Sequence, residues 1–387
     1  MYIAKFPVIV RGLLCCLFLG SFPLLAVAAP LASAWGFQID PPEGYQYVGG
    51  DGRDQFSFQS SLGARLELKI YPGNTYASVP TVVEDIQRRL KNQGTSEYFV
   101  YRKKQAAILQ LRFLGAGGLS EGWGLCVELD RPAVSGNPGK PLLLALAYGP
   151  AGRQDLQILH FSALDSIAPT PLDRRAPGPI TEYTYPRGNQ RYISVSGIDA
   201  EALVYEYDAE AAQAVVDREF QVLRRYMNSP LWKEAWTRFY RAVYRDSFDR
   251  LAHIAFTVER HLNIPPLENR DFANKVLEWV QSFQYERDLM GSDFINLVSA
   301  ALEGRGDCDS RSMLWAVILE QADIPAALMV SPGYSHAMGL ADLPGTGAHF
   351  TFAGKSWLTA ETIDKIALGL IRAHMSDVNY WIGIAFE

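Results

Sequence analysis

Cysteine is scarce in this chain: four among 387 residues, and two of those, Cys15 and Cys16, fall in an apolar run at the N-terminus. Cys126 and Cys308 remain, enough for one bridge at most, so a disulfide-stapled scaffold is excluded. Cationic excess is missing too. The 36 Lys and Arg stand against 42 Asp and Glu, a formal net charge of −6, with no basic patch that would suggest nucleic acid as a partner. Zinc-ligand spacing is absent around His253 and His261, and Cys308, His336 and His349 form no zinc pattern, so no metal and no cofactor is expected. What is present is ordinary: 48% hydrophobic and 20% charged residues can bury sizeable cores, and the length suggests about two or three domains.

The first residues carry Lys5 and Arg11, an apolar run from Gly12 to Val27, and Ala32-Ser33-Ala34 before Trp35. This is the three-part layout of a secretory signal peptide over residues 1–34, which predicts a periplasmic or secreted protein with no transmembrane segment after cleavage. An uncleaved anchor is the alternative, against which Pro23 and the small residues interrupt the run. Leu14 stands where a lipoprotein signal needs a small residue before Cys15. In an oxidising compartment Cys126 and Cys308 have three fates: a disulfide, two buried thiols, or a nucleophilic Cys308 with Cys126 in a core.

Residues 35–167 read as an antiparallel α+β domain of short strands with one helix opened by Ser78-Val79-Pro80. A strand is also predicted over Leu156 to Phe161. The order of elements is similar to that of the small PsbP- and Mog1-like α/β sandwiches, and an accessory or binding role is expected. Residues 168–189 concentrate proline and glycine and are expected to be a linker. Residues 190–387 begin with a hairpin and helices. Trp232, Trp236, Phe239, Tyr240 and Tyr244 recur at helical spacing, as a packed face or a polysaccharide grip. A helix capped by Asp293 is expected before Leu302.

The chemistry concentrates at Gly304-Arg305-Gly306-Asp307-Cys308-Asp309, where a cysteine starts an apolar helix. Unpaired N–H groups and the helix dipole favour a thiolate there, so Cys308 is the candidate low-pKa nucleophile. Asp307 and Asp309 are expected to cap the helix. Downstream, His336 opens a strand and Glu361 closes another, a base and an orienting acid in the order Cys, His, Glu. Asp342 and Asp364 compete with Glu361. Asp342, about six extended residues from the histidine, is on the order of 20 Å away, and Asp364 sits past the strand end.

Together with the segment from Trp279-Val280-Gln281 to Tyr285 and Asp288, these motifs resemble the transglutaminase-like cysteine-protease superfamily over the last third of the chain. Glu361-Thr362 stands where that family commonly has Asp-Pro-Thr. The resemblance implies a helix-plus-antiparallel-sheet domain of papain-like type, making the whole chain α+β. It also implies a Cys308–His336–Glu361 triad, with Gln281 a candidate oxyanion donor beside the Cys308 N–H; a solvent-facing role for Gln281 is the alternative. Hydrolysis of a peptide, amide or isopeptide bond in a peptide or protein substrate, with the cell envelope as one source, is the favoured expectation. Amine transfer, or a non-enzymatic binding and assembly module on the same fold, are the alternatives.

Overall fold

The computed structural model describes residues 30–115, 117–130, 139–287 and 292–386. The expected leader lies outside the described residues except for its last five, of which β1 (Leu31–Ala32) pairs with β2 (Gln38–Ile39). The chain is α+β, with two antiparallel sheets joined by helices. No helix among the described residues is long and apolar enough to cross a membrane.

The larger sheet contains β3 (Tyr45–Gly50), β4 (Gln55–Ser60), β5 (Arg65–Tyr71), β6 (Ser96–Tyr101), β7 (Lys104–Gly115), β8 (Gly118–Glu128) and β9 (Leu142–Pro150). Its order is β3-β4-β5-β9-β8-β7-β6. Strand residues alternate between its faces. One face, with Leu109, Leu111, Cys126 and Leu144, buries Val79, Val82, Val83 and Ile86 of α1 (Val79–Leu90). Proline in the first turn of α1 sacrifices only an N–H that would have no helical partner, which is why Ser78-Val79-Pro80 marks its start.

The opposite face packs on α2 (Gln157–Asp165), where a strand was expected. That helix buries polar as well as apolar residues, His160, Ser162 and Asp165 beside Leu159, Ala163 and Leu164, with Gln157 left exposed, so its sequence shows no helical stripe. The expected linker is likewise folded. Thr170, Asp173, Ala176, Ile180 and Thr181 are buried in a 3₁₀ turn and α3 (Pro179–Thr184), because their polar groups find partners. Arg245 donates to the carbonyls of Asp165, Ile167 and Asp173 at 2.7, 2.8 and 3.2 Å, and Thr181 binds Asp165 through N and Oγ1.

A hairpin, β10 (Gln190–Ser194) with β11 (Glu201–Tyr205), leads to α4 (Asp208–Arg224), α5 (Trp232–Arg250), α6 (Ala252–Leu262) and α7 (Asn269–Gln281). Phe239, Tyr240 and Tyr244 of the aromatic stripe are core, while Trp232 and Trp236 are half-buried. A charged layer ties α4 and α5 to α2: Glu219 accepts from Ser162, Arg238 and Arg218, each at 2.7 Å, and Arg218 reaches Asp165 at 2.5 Å. All of these side chains are buried or nearly so, and paired charges of both signs are what make that burial tolerable.

The helix expected to start at Asp293 is α8 (Leu297–Glu303), capped by Asn296, whose Oδ1 accepts from Ser299 N at 2.9 Å. Between flanking elements, β12 (Gln284–Tyr285) pairs in parallel with β13 (Arg305–Gly306). Then α9 (Cys308–Gln321) runs through the core, buried on all sides, under the second sheet. That sheet contains β14 (Ala326–Ser331), β15 (His336–Ala341), β16 (His349–Phe352), β17 (Lys355–Ala360) and β18 (Ile382–Ile384), in the order β16-β17-β15-β14-β18. Gly339 lets α9 approach β15: a Cβ there would lie 2.4 Å from the Trp315 ring. The residues before β18 form 3₁₀ turns.

Candidate functional site

Gly304 ends α8 in the left-handed region, φ +67°, and turns the chain towards α9. Asp307 caps α9, its Oδ1 accepting from Ser310 N at 2.8 Å and Ser310 Oγ at 2.6 Å. Cys308, 8% exposed, is therefore the first helical residue at the floor of a cleft of about 430 Å³. Arg311 fixes the entry by donating to the carbonyls of Gly306 at 3.0 Å and Phe283 at 2.7 Å.

His336 starts β15 immediately after Ser335, whose φ of +49° places it in a region that costs a non-glycine residue about 1–2 kcal/mol. β17 returns beside β15, Ala360 opposite Gly339, and carries Glu361 back to the histidine. His336 Nε2 lies 2.8 Å from Glu361 Oε2, and Glu361 is 1% exposed. Glu361 Oε1 accepts from Ile363 N at 2.8 Å, so both carboxylate oxygens are fixed. Asp342 binds Lys355 and Asp364 binds Arg372. Ser312, one turn beyond Cys308, reaches Ala337 O at 3.2 Å and Thr362 Oγ1 at 2.9 Å, locking the thiol helix to the neighbours of both His336 and Glu361.

Gln281 does not serve as an oxyanion donor. It is buried, and its Nε2 donates to the carbonyls of Glu361 at 2.8 Å and Ile366 at 2.9 Å, which spends both amide hydrogens on the loop carrying the acid. Gln281 holds Glu361 in place. Neither a solvent-facing nor an oxyanion role describes it.

The thiol's surroundings also differ from those expected. Burial pushes the Cys308 pKa up, and the Asp309 and Asp307 carboxylates push it further; backbone N–H groups of Ala337 and Asp309 pull the other way but lose. The sulfur lies 3.7 Å from Asp309 Oδ2, to which the S–H donates. Burial, then Asp309, raises Asp307 to about 8, and burial raises Asp309 as well. Tyr240 donates its hydroxyl to Asp309 Oδ1. The helix-terminus argument thus gives the right position and the wrong electrostatic balance, because desolvation and two carboxylates outweigh a dipole effect of about 1 kcal/mol.

Donor atoms of Asp307, Cys308 and Asp309 come within 4.8 Å of one another. Asp307 is engaged by Ser310 and Asp309 by Tyr240, so the arrangement is a hydrogen-bonded acid pair about a thiol, with His336 as its facing base. Tyr240, Asp309 and Tyr285 are the cleft residues whose parts the sequence reading missed. Tyr240 was visible only as one member of an aromatic stripe. Tyr285, inside the segment that carries the family resemblance, is raised by burial and by the nearby Cys308. His349 is exposed at the sheet edge, bound to Gly347 O.

Cys126 is a free, fully buried thiol pushed up to about 12 by burial, and Cys308 is also unbridged.

No family model matches the chain, and no curated protein matches it. Solved structures show distant likeness only. The PsbP protein of a Synechocystis species (CyanoP) is 16% identical over 38% of this chain and 97% of its own, with a TM-score of 0.27. A protein from Bacteroides thetaiotaomicron is 11% identical over 55% and 75%, TM-score 0.24. A proposed protease from Parabacteroides distasonis is 8% identical over 88% and 70%, TM-score 0.22. Likeness at this level says nothing about activity.

Proposed function

We propose that this chain is a transglutaminase-like thiol hydrolase of the periplasm or cell exterior, acting on a peptide, amide or isopeptide carbonyl. The observation that carries this reading is the 2.8 Å His336–Glu361 pair on the cleft whose floor is Cys308 at a helix start. With Nε2 held by Glu361, Nδ1 is left for the thiol. Because the thiol is held protonated, His336 acts as general base during attack and does not sit in a preformed ion pair. Sγ bonds to the carbonyl carbon as its proton passes to His336. The oxyanion meets the Cys308 N–H, the one first-turn donor not directed at Asp307 or at the sulfur, and Tyr285 supplies a second. Collapse breaks the C–N bond, the leaving amine takes the proton from His336, and water activated by the same imidazole hydrolyses the thioester.

Phe220, Trp236, Phe239 and Phe294 give the cleft an apolar lining, and Asp293 and Asp307 also line it. A substrate with a large apolar side chain beside the scissile carbonyl fits that lining. The two carboxylates around Cys308 favour a second reading, a non-enzymatic module whose thiol stays protonated. Native alkylation by iodoacetamide with peptide mapping, followed by p-nitrophenyl acetate hydrolysis, separates the two. The hydrolase reading expects Cys308 to be modified, Cys126 to be spared, and ester turnover to vanish with alkylation. An unreactive Cys308 at pH 9 in folded protein leaves the non-enzymatic reading.

A further inference from the structure

A second groove, about 290 Å³ in volume, lies far along the chain from the thiol, between the start of α2 and strands β7 and β8. Trp123 forms one wall, backed at 5.1 Å by Phe161. Gln110, Gln154 and Gln157 stand around the opening with exposed side chains, and among the described residues none of their amides has a protein partner. At the base, His160 is 4% exposed and its Nε2 has no hydrogen-bond partner, while its other ring nitrogen faces the Tyr148 carbonyl. Burial lowers the His160 pKa to about 4, so the ring is neutral. The charges at the rim are already matched, Arg112 with Glu121 and Arg153 with Asp155.

We propose that this groove binds a neutral saccharide. Matched rim charges offer nothing to an anion or a cation. Free amides supply donors and acceptors together, which is what hydroxyl groups need, and the neutral His160 ring beneath them brings no charge to the groove. The indole gives the C–H face of a sugar ring an apolar platform, and the volume, at the low end for ligand pockets of about 300–1,000 Å³, suits one or two rings. The site is independent of any activity at Cys308.

Saturation-transfer NMR on the full chain, with glucose, galactose, N-acetylglucosamine and maltose as separate probes and Gly-Ala-Gly as the peptide control, tests it. At least one saccharide should receive saturation on its ring C–H protons, and its affinity should fall at least tenfold in Trp123→Ala and in Gln157→Ala. Gln157 is exposed, so its variant retains the fold even where loss of the indole does not. The proposal is overturned if no saccharide responds, if the saccharide signal persists unchanged in Gln157→Ala, or if the tripeptide binds and the sugars do not.

Discussion

Replacing Asp309 by Asn should lower the pKa of Cys308. Asparagine keeps the shape and an oxygen to accept the Tyr240 hydroxyl, and it removes a charge whose oxygen lies 3.7 Å from the sulfur. With an effective dielectric constant of about 20, that separation corresponds to about 4 kcal/mol, or about three pKa units, if the carboxylate is fully ionised. Solvent in the cleft screens part of that interaction, which sets the expected drop at about one to three units. Each unit gives tenfold more thiolate but a softer nucleophile, so with a Brønsted slope of about 0.45 the alkylation rate at fixed pH below the wild-type midpoint should rise about 3- to 40-fold. The measurement is the iodoacetamide rate against pH, with mass mapping to confirm that Cys308 alone reacts. A midpoint that stays put or moves upward refutes the role given to Asp309 and leaves burial and Asp307 as the causes.

Glu361→Gln keeps an oxygen for Ile363 N but removes the anion beside His336, and p-nitrophenyl acetate turnover should fall about a thousand- to ten-thousand-fold with an unchanged circular dichroism spectrum. Glu219→Ala should cost about 3–5 kcal/mol, because Arg218 and Arg238 lose their shared buried anion; a thermal scan should show one lowered transition across the chain, and two separate transitions would contradict a continuous core. Burial raises Glu43 from 4.5 to about 7 in the folded state. The folded protein then binds more protons than the unfolded one between those values, so stability is lost as pH rises through that window, by up to about 3 kcal/mol. Urea melts at pH 5 and pH 7.5 should show that loss in the native chain and a flatter response in Glu43→Gln.

The second sheet was largely legible because its strands are short, apolar and bounded by turn residues. Ala326–Ser331 and His349–Phe352 are runs of this kind, and Ala353-Gly354, both at positive φ, makes the two-residue turn between β16 and β17. The nearness of Glu361 to His336 follows from the antiparallel pairing of β17 with β15, which sets one strand's end beside its partner's beginning. Local signals failed where tertiary surroundings decide. Proline and glycine between 168 and 180 announce irregular backbone, but only Arg245 on a distant helix makes that backbone buried. The Leu156 to Phe161 segment has no period to read because every residue in it except Gln157 is buried or half-buried, on more than one side. Gln281 and the acidity of Cys308 depend on what lies across the cleft, and no spacing along the chain reports it.

The charged layer between α2 and α4–α5 has a consequence for how this protein can be divided. A polypeptide starting at residue 190 would retain Arg218 without Asp165, and Arg245 without its three carbonyl acceptors. Cations left that way must be hydrated where they stand, which means opening the core that supports α9. The thiol-bearing half is therefore not a portable cassette: recombination or expression that separates it from the first sheet should yield an insoluble or molten product.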